Sequence, residues 1–209
     1  MRYWKGSIAV SATQDYPLLQ QVLRSTFVTH QQLYAFLKLD YRTASRNAFN
    51  NRVLRLVKHD YLMRDEVPHK TEGYVYSLSE RGVAELIGLG EYCTGPTHRP
   101  RDGHFPRAIY HAIELNEIHL ALKRSQQLVR WIAESEIHSR NELTEDRYCK
   151  DYDAVVTVRN EIGERTFALE YERSPKARKE YLDIAADIES ERAVERFFYL
   201  VPNCGGPLG

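Results

Sequence analysis

The sequence has few cysteines and no long apolar segment. Its three cysteines, Cys93, Cys149 and Cys204, are odd in number and form no Cys-x-x-Cys pair, so neither a disulfide framework nor a cysteine zinc site is expected. No apolar run approaches the ~20 residues of a membrane helix. The first residues, Met-Arg-Tyr-Trp-Lys, lack the apolar core of a signal peptide. We therefore expect a cytoplasmic protein without a membrane partner.

Several catalytic motifs are also missing. There is no His-Glu-x-x-His motif, and His111 and His119 lie eight residues apart, which does not suit a zinc site. Gly88-Leu89-Gly90 falls in a loop rather than between a strand and a helix, so no phosphate-cradling loop is predicted. These absences argue against zinc enzymes and nucleotide-hydrolysing enzymes.

The charge is balanced overall but not along the chain. The 209 residues carry 29 basic and 29 acidic side chains, and this length suits one large domain or two small ones. Residues 1–90 hold 12 lysines and arginines against 8 acids, whereas residues 91–209 hold 17 against 21. A mildly basic first half is typical of a nucleic-acid-binding domain joined to a different domain.

Three helices are predicted within the first sixty residues. Asp15 is the expected cap of the first helix and Thr29 that of the second, while the third begins near Thr43 and ends at about His59. Apolar residues three and four positions apart give this third helix one stripe to bury. The stripe consists of Phe49, Val53, Leu56 and Val57.

A β-hairpin and a short helix follow. Residues 61–64 and 74–78 flank a charged loop, as the strands of a hairpin do, and Ser79 is expected to open the next helix. Three helices followed by a two-stranded wing predict a winged helix-turn-helix domain over residues 15–88, preceded by an arm of residues 1–14.

Glycine and proline cluster between residues 89 and 106, which predicts a linker. Residues 107–209 are expected to form a second domain of order α-β-β-β-α-β, so the protein belongs to the mixed α/β (α+β) class. The predicted elements are a helix 107–127, strands 129–137, 152–158 and 165–172, a loop 139–150, a helix that starts at Ser174-Pro175, and a strand 197–201.

One face of the third helix has the composition of a DNA-reading surface. It is polar and positive and carries no acid, and a helix of this kind fits the major groove of duplex DNA. Arg46 projects towards the apolar side and is expected to meet the preceding helix or a phosphate. The hairpin loop adds two candidate contacts to the DNA backbone or the minor groove. The predicted DNA-binding residues are Thr43, Asn47, Asn51, Arg52, Arg55, Lys58, His69 and Lys70.

Acidic residues gather on the second predicted hairpin. The turn at 160–163 sets a register in which Asp153 faces Glu170 directly, and Glu172 shares their side of the sheet. Like charges so placed are destabilising unless a cation, a proton or a basic side chain such as Arg130, Arg173 or a lysine relieves them. The arrangement is compatible with a Mg²⁺ site, since Mg²⁺ takes one or two carboxylates and waters.

The predicted helix 107–127 has two notable faces. Asn116 and Glu117 lie among the apolar residues of its inward face, so Glu117 is expected to be a fourth acid of the cluster or to pair with an arginine. A second apolar stripe on the other side predicts either a dimer contact or packing against the first domain. This stripe consists of Leu115, Ile118 and Leu122.

The order of elements, with Asp153 on one strand and Glu170-Tyr171-Glu172 on the next, resembles the PD-(D/E)XK restriction-endonuclease-like core. Together with the leading winged helix, the chain resembles the replication-relaxation family of bacterial and mobile-element proteins. The stretches that carry this resemblance are residues 51–56, 61–62, 76–78, 81–82, 111–122 and 169–174, with Lys179 and Tyr181.

The chain departs from that family pattern at three positions. Tyr152 replaces the proline that precedes the aspartate, Asp60 stands where a winged helix often has glycine, and Glu172 occupies the place of the catalytic lysine. A carboxylate cannot supply the positive charge that helps water to attack phosphorus. We therefore expect an inactive nuclease-like domain, unless Lys176 or Lys179 substitutes. An active site would consist of Glu117, Asp153, Glu170, Glu172, Lys176 and Lys179, with Asp153 and Glu170 as metal ligands.

The sequence thus predicts a sequence-specific binder of double-stranded DNA. It would be a transcriptional regulator or a replication or mobilisation accessory factor of a bacterium or mobile element, a homodimer, and free of cofactors. Two alternatives remain open at this point. One is a Mg²⁺-dependent DNA endonuclease, and the other is an adaptor that binds other proteins of a plasmid or phage complex.

Overall fold

The structure is a computed structural model. It describes residues 8–40, 45–67, 73–91, 105–174, 176–194 and 196–201. The chain divides into two compact units, Met1–Gln126 and Gln127–Gly209. Within the described residues there are seven helices and two separate β-sheets, so the mixed α+β class is confirmed.

The first unit contains five helices and a three-stranded antiparallel sheet in its described part. The sheet has the order β1-β3-β2, so β1 lies beside the second strand of the hairpin. The elements are α1 (Tyr16–Ser25), β1 (Val28–Thr29), α2 (His30–Asp40), α3 (Arg46–Lys58), β2 (Leu62–Glu66), β3 (Tyr74–Leu78), α4 (Glu80–Gly88) and α5 (Phe105–Arg124).

The caps predicted for α2 and α4 are confirmed. Thr29 and Gln32 bond reciprocally at the start of α2: each backbone N–H donates to the other's side-chain oxygen at 3.2 Å. Ser79 accepts the N–H of Gly82 at 3.0 Å and so caps α4. Asp15 stands at the N-cap position of α1 as predicted, but its carboxylate makes no cap bond to the helix and accepts the N–H of Ser11 at 2.8 Å.

The stripe predicted for α3 packs into the core. Phe49, Val53 and Leu56 are buried, and Val57 is half-buried against the same cluster. Each fully buried side chain of this size stabilises the fold by about 1.5–3 kcal/mol. Just after α3, Asp60 has a φ of 58°, the left-handed conformation that favours glycine and that aspartate tolerates. Asp60 can therefore form the same turn as the glycine that a winged helix often has at this position.

Helix α5 belongs to the first unit, not to the second domain as the sequence predicted. Ile109 and Ala112 pack with Val67 and Val75, and Leu120 joins the larger core of α1, α2 and α3. The division therefore falls between residues 126 and 127 rather than in the predicted linker 89–106, of which residues 92–104 lie outside the described ranges. Periodicity identifies an amphipathic helix but not the partner of its apolar face.

The second unit is built on a four-stranded sheet of order β4-β5-β6-β7. Its first three strands are antiparallel, while β7 runs parallel to β6, and α7 forms the connection between these two. The elements are β4 (Leu128–Ala133), α6 (Glu134–Leu143), β5 (Ala154–Asn160), β6 (Gly163–Tyr171), α7 (Arg178–Ser190) and β7 (Phe197–Leu200).

Two predictions for the second unit are wrong. The strand predicted to end at residue 137 ends at Ala133, and α6 occupies part of the predicted loop 139–150. Glu136 accepts the Ala133 N–H at 2.9 Å and starts α6, while Ile137 is buried in the core of this unit. Helix α7 begins at Arg178 rather than at residues 174–175, and none of its residues is fully buried.

Among the described residues, no helix combines the length and the apolar character needed to span a membrane.

Candidate nucleic-acid interface and carboxylate cluster

The outer face of α3 is exposed. Asn47, Asn51 and Lys58 point away from the core, and no residue from Arg46 to Lys58 is acidic. Leu54 lies among them and is 56% exposed, a feature that the sequence analysis missed. The sequence could have indicated this exposure, because Leu54 does not belong to the apolar stripe of the helix. The other predicted contacts Thr43, His69 and Lys70 lie outside the described residues.

Two arginines predicted to contact DNA are instead engaged within the first unit. Asp15 has a fully buried side chain, and its Oδ1 lies 3.2 Å from Nε of Arg52. Its Oδ2 pairs with the guanidinium of Arg55, and Gln14 accepts a further bond from Arg52. Arg52 and Arg55 therefore point towards the start of α1. The sequence did not predict their ion pairs with Asp15.

Further contacts hold α3 against α2 and β3. The guanidinium of Arg46 stacks on the Tyr34 ring, 4.4 Å from its centroid, as expected from its position near the apolar side. His30, the first residue of α2, hydrogen-bonds Asn50 Oδ1 through Nε2 at 2.9 Å and the Tyr76 hydroxyl through Nδ1 at 3.1 Å. The orientation of α3 is thus fixed by polar contacts as well as by its apolar stripe.

The register predicted for the hairpin of the second unit is confirmed. Arg159 lies opposite Glu164, and Ala154 opposite Leu169, as the turn length required. Asp153 immediately precedes β5, and its Oδ2 accepts the backbone N–H of Tyr171 at 2.6 Å. Glu170, near the end of β6, is only 9% exposed. The two carboxylates therefore lie at the same end of the β5–β6 pair.

Lysines relieve the repulsion between these acids, which is one of the alternatives that the sequence left open. Lys150 Nζ lies 2.9 Å from Oε1 of Glu170, and Lys176 Nζ lies 2.6 Å from Oε2 of Glu172. The hydroxyl of Tyr199 also donates to Glu172, at 3.2 Å. Lys179 lies on α7 with an exposed side chain. Lys176 was predicted as a possible member of this site, whereas Lys150 was not.

Glu170 in β6 and Glu172 just after it have pKa values that are shifted in opposite directions. Burial raises the pKa of Glu170; Lys150 opposes this shift, and the charge of Asp153 adds to it. Burial also acts on Glu172, but hydrogen bonds from Lys176 and from the Ser174 N–H outweigh it and lower its pKa. One carboxyl therefore holds a proton more readily than the other, the pattern that separates an acid from a base in many sites.

Glu117 belongs to the first unit, whereas the sequence placed it in the same domain as these acids. It lies on α5 in the first unit, where its Oε1 accepts a hydrogen bond from Gln32 Nε2 at 2.8 Å. Its neighbour Asn116 is buried and donates to the Phe27 carbonyl at 2.8 Å. The predicted interface stripe has intermediate exposure, so a dimer contact there stays a prediction. That stripe is Leu115, Ile118 and Leu122.

Within the described ranges, no three histidine, cysteine or acidic side chains are placed to hold a metal ion. Of the two predicted Mg²⁺ ligands, Asp153 accepts a backbone N–H and Glu170 pairs with an ammonium group. Neither a protein-family model, nor a curated protein, nor a solved structure matches this chain.

Proposed function

We propose that this protein binds double-stranded DNA in a sequence-specific way and that its first unit is a winged helix-turn-helix domain. The order α1-β1-α2-α3-β2-β3, with β1 beside β3, supports this assignment. In such a domain the last helix before the hairpin enters the major groove, and the loop between β2 and β3 lies against the DNA backbone.

The observation that carries the proposal is the exposed, acid-free face of α3. Asparagine can bond both the N6 and N7 positions of adenine, lysine can take guanine or phosphate, and an apolar side chain suits the methyl group of thymine. Asn47, Asn51, Leu54 and Lys58 supply these three kinds of contact on one face of a helix that is anchored on its other face.

The second unit is proposed to be a PD-(D/E)XK-like scaffold without nuclease activity. The parallel β6-α7-β7 connection and the β5–β6 register, which brings Asp153 and Glu170 to the same end of the two strands, support the resemblance, and Glu172 stands in place of the lysine. A regulator or a replication or mobilisation accessory factor of a bacterial or mobile element, related to the replication-relaxation family, would combine these parts. A homodimer would place two α3 helices on a palindromic site.

Selection from a random duplex library should yield a preferred site for the full chain. Asn51→Ala should then weaken binding to this site by about 1–3 kcal/mol, because two hydrogen bonds to a base edge are lost.

Lys58→Gln should weaken binding to all duplexes and reduce the salt dependence, since one phosphate contact is lost. Fluorescence anisotropy with selected and scrambled duplexes measures both effects.

If selection enriches no sequence and the full chain has no affinity for duplex DNA even at low salt, the proposal fails. The adaptor alternative then becomes the leading one. A change in affinity for Asn51→Ala that is equal on selected and scrambled duplexes would show that this residue does not read a base.

A metal-dependent nuclease is the second candidate, because Glu170 and Glu172 have oppositely shifted pKa values beside two lysines. We nevertheless expect no cleavage of linear or supercoiled DNA with Mg²⁺ or Mn²⁺. The ammonium groups already neutralise the carboxylates, so the metal should not raise the melting temperature either. Asp153→Asn should leave DNA binding nearly intact. Metal-dependent nicking that disappears in Asp153→Asn and Glu170→Gln would favour the nuclease instead.

A further inference from the structure

A buried carboxylate contacts the proposed recognition helix from outside it. The side chain of Asp15 has no exposed surface, yet it lies in the segment that precedes α1, 40 residues before Arg55. Ser11 donates its N–H to Oδ2 at 2.8 Å, Arg55 pairs with the same oxygen, and Arg52 Nε lies 3.2 Å from Oδ1. This Asp15 clasp joins the start of α1 to the middle of α3.

The charges show what the clasp does to α3. The helix carries four basic residues and no acid, and two of the four, Arg52 and Arg55, share the single negative charge of Asp15. A buried carboxylate without a counterion is strongly unfavourable, so the pairing keeps both guanidinium groups in place. Asn47, Asn51 and Lys58, in contrast, stay exposed.

The two arginines lie close to the DNA-reading face, so their pairing with Asp15 affects which contacts this face can make with DNA. Arg55 lies one helical turn from Asn51 and from Lys58, and its side chain is 40% exposed, whereas that of Arg52 is 23% exposed. An arginine released at either position would be long enough to reach a phosphate beside the groove. Phosphate contacts raise affinity for every sequence and carry no sequence information.

We propose that Asp15 is a positioning residue for DNA recognition. It withholds Arg52 and Arg55 from the phosphates, so that binding depends on the exposed residues Asn47, Asn51 and Lys58. This inference rests on the proposed DNA-binding function. Its consequence is a lower affinity for random DNA and a higher ratio of specific to non-specific binding.

The direct test is Asp15→Asn, which keeps the shape of the side chain and removes its charge. Binding of the full chain to a random-sequence duplex is measured by anisotropy over a range of salt concentrations. The variant should bind random duplex more tightly than the unaltered chain. Its slope of log K against log salt should be steeper by about 0.9 for each arginine that gains a phosphate. An unchanged or shallower slope in a variant with native circular dichroism would overturn the proposal.

A matched pair of variants decides the question if Asp15→Asn does not fold. Arg55→Gln and Lys58→Gln each remove one positive charge from α3, three residues apart. Lys58→Gln should make the salt slope shallower by about 0.9, whereas Arg55→Gln should change it by less than half of that amount. Equal reductions would show that Arg55 contacts a phosphate, and the clasp would not have the proposed role.

Thermal unfolding without DNA tests the interaction between Asp15 and Arg55 independently of the proposed DNA binding. If Asp15 and Arg55 interact, the melting-temperature shifts of Asp15→Asn and Arg55→Gln should not add in the double variant. Additive shifts would overturn the ion pair even in a chain that binds DNA. An unaltered chain without affinity for any duplex would overturn both the function and this inference, even if the shifts are not additive.

Discussion

Replacing Lys150 by methionine should destabilise the second unit by about 3 kcal/mol at pH 8. Breaking a buried ion pair from one side typically costs about 3–5 kcal/mol, because the remaining charge is left uncompensated. Lys150 and Glu170 fit this case, since their side chains are only 20% and 11% exposed. Urea unfolding of the full chain, followed by hydrogen exchange of the amides of β5 and β6, measures the loss.

The pH dependence of this variant follows from the raised pKa of Glu170. Burial favours the protonated carboxyl, so the stability it contributes is fully present below the pKa of the unfolded chain and is lost as the pH rises through the higher folded pKa. Without Lys150 this loss should become larger. The deficit of Lys150→Met should therefore shrink on going from pH 8 to pH 5.

The double variant Lys150→Met with Glu170→Gln is the control. It removes the uncompensated charge and should recover most of the stability lost at pH 8. A deficit that is independent of pH and that the second substitution does not repair would mean that Lys150 contributes through packing of its methylene groups only.

The first unit should lose stability below pH 6.5 because of His119. Burial, aided by the charges of Lys123 and Arg24, lowers the pKa of this histidine from 6.5 to about 3. Its ring packs on Phe36, with the centroids 4.8 Å apart. The unfolded chain therefore takes up a proton that the folded chain does not. The stability is complete above pH 6.5 and declines by about 1.4 kcal/mol per pH unit towards pH 3.

At pH 5 the expected loss from this single group is about 2 kcal/mol. His119→Leu removes the titration, so the difference in unfolding free energy between the variant and the unaltered chain should change by this amount between pH 7 and pH 5. Hydrogen exchange of the α2 and α5 amides reports on this unit. A difference that is constant over this range would show that His119 is protonated in the folded chain.

The elements that the sequence determined by itself are those whose causes are local. The α3 stripe follows from residues three and four apart, the caps at Thr29 and Ser79 from hydrogen bonds within three residues, and the β5–β6 register from the length of one turn. Such features depend on neighbours along the chain, so periodicity and turn length suffice to predict them.

Local patterns could not predict the partner of a charged side chain or of an apolar helix face when more than one partner was possible. Asp15 was expected to cap its own helix, but Arg52 and Arg55 approach it from α3, and this distant pair satisfies the buried carboxylate. In the same way, Lys150 rather than an arginine pairs with Glu170.

Only the tertiary structure decided which partners these groups have. Helix α5 was predicted correctly as an amphipathic helix and assigned to the wrong domain, because its apolar residues fit one core as well as another. Asn116 and Leu120 meet Phe27 and the core of the first unit, residues about 90 positions away. The choice depends on the shape of the surface that the rest of the chain presents. That shape arises from packing between residues far apart in sequence, which no local pattern encodes.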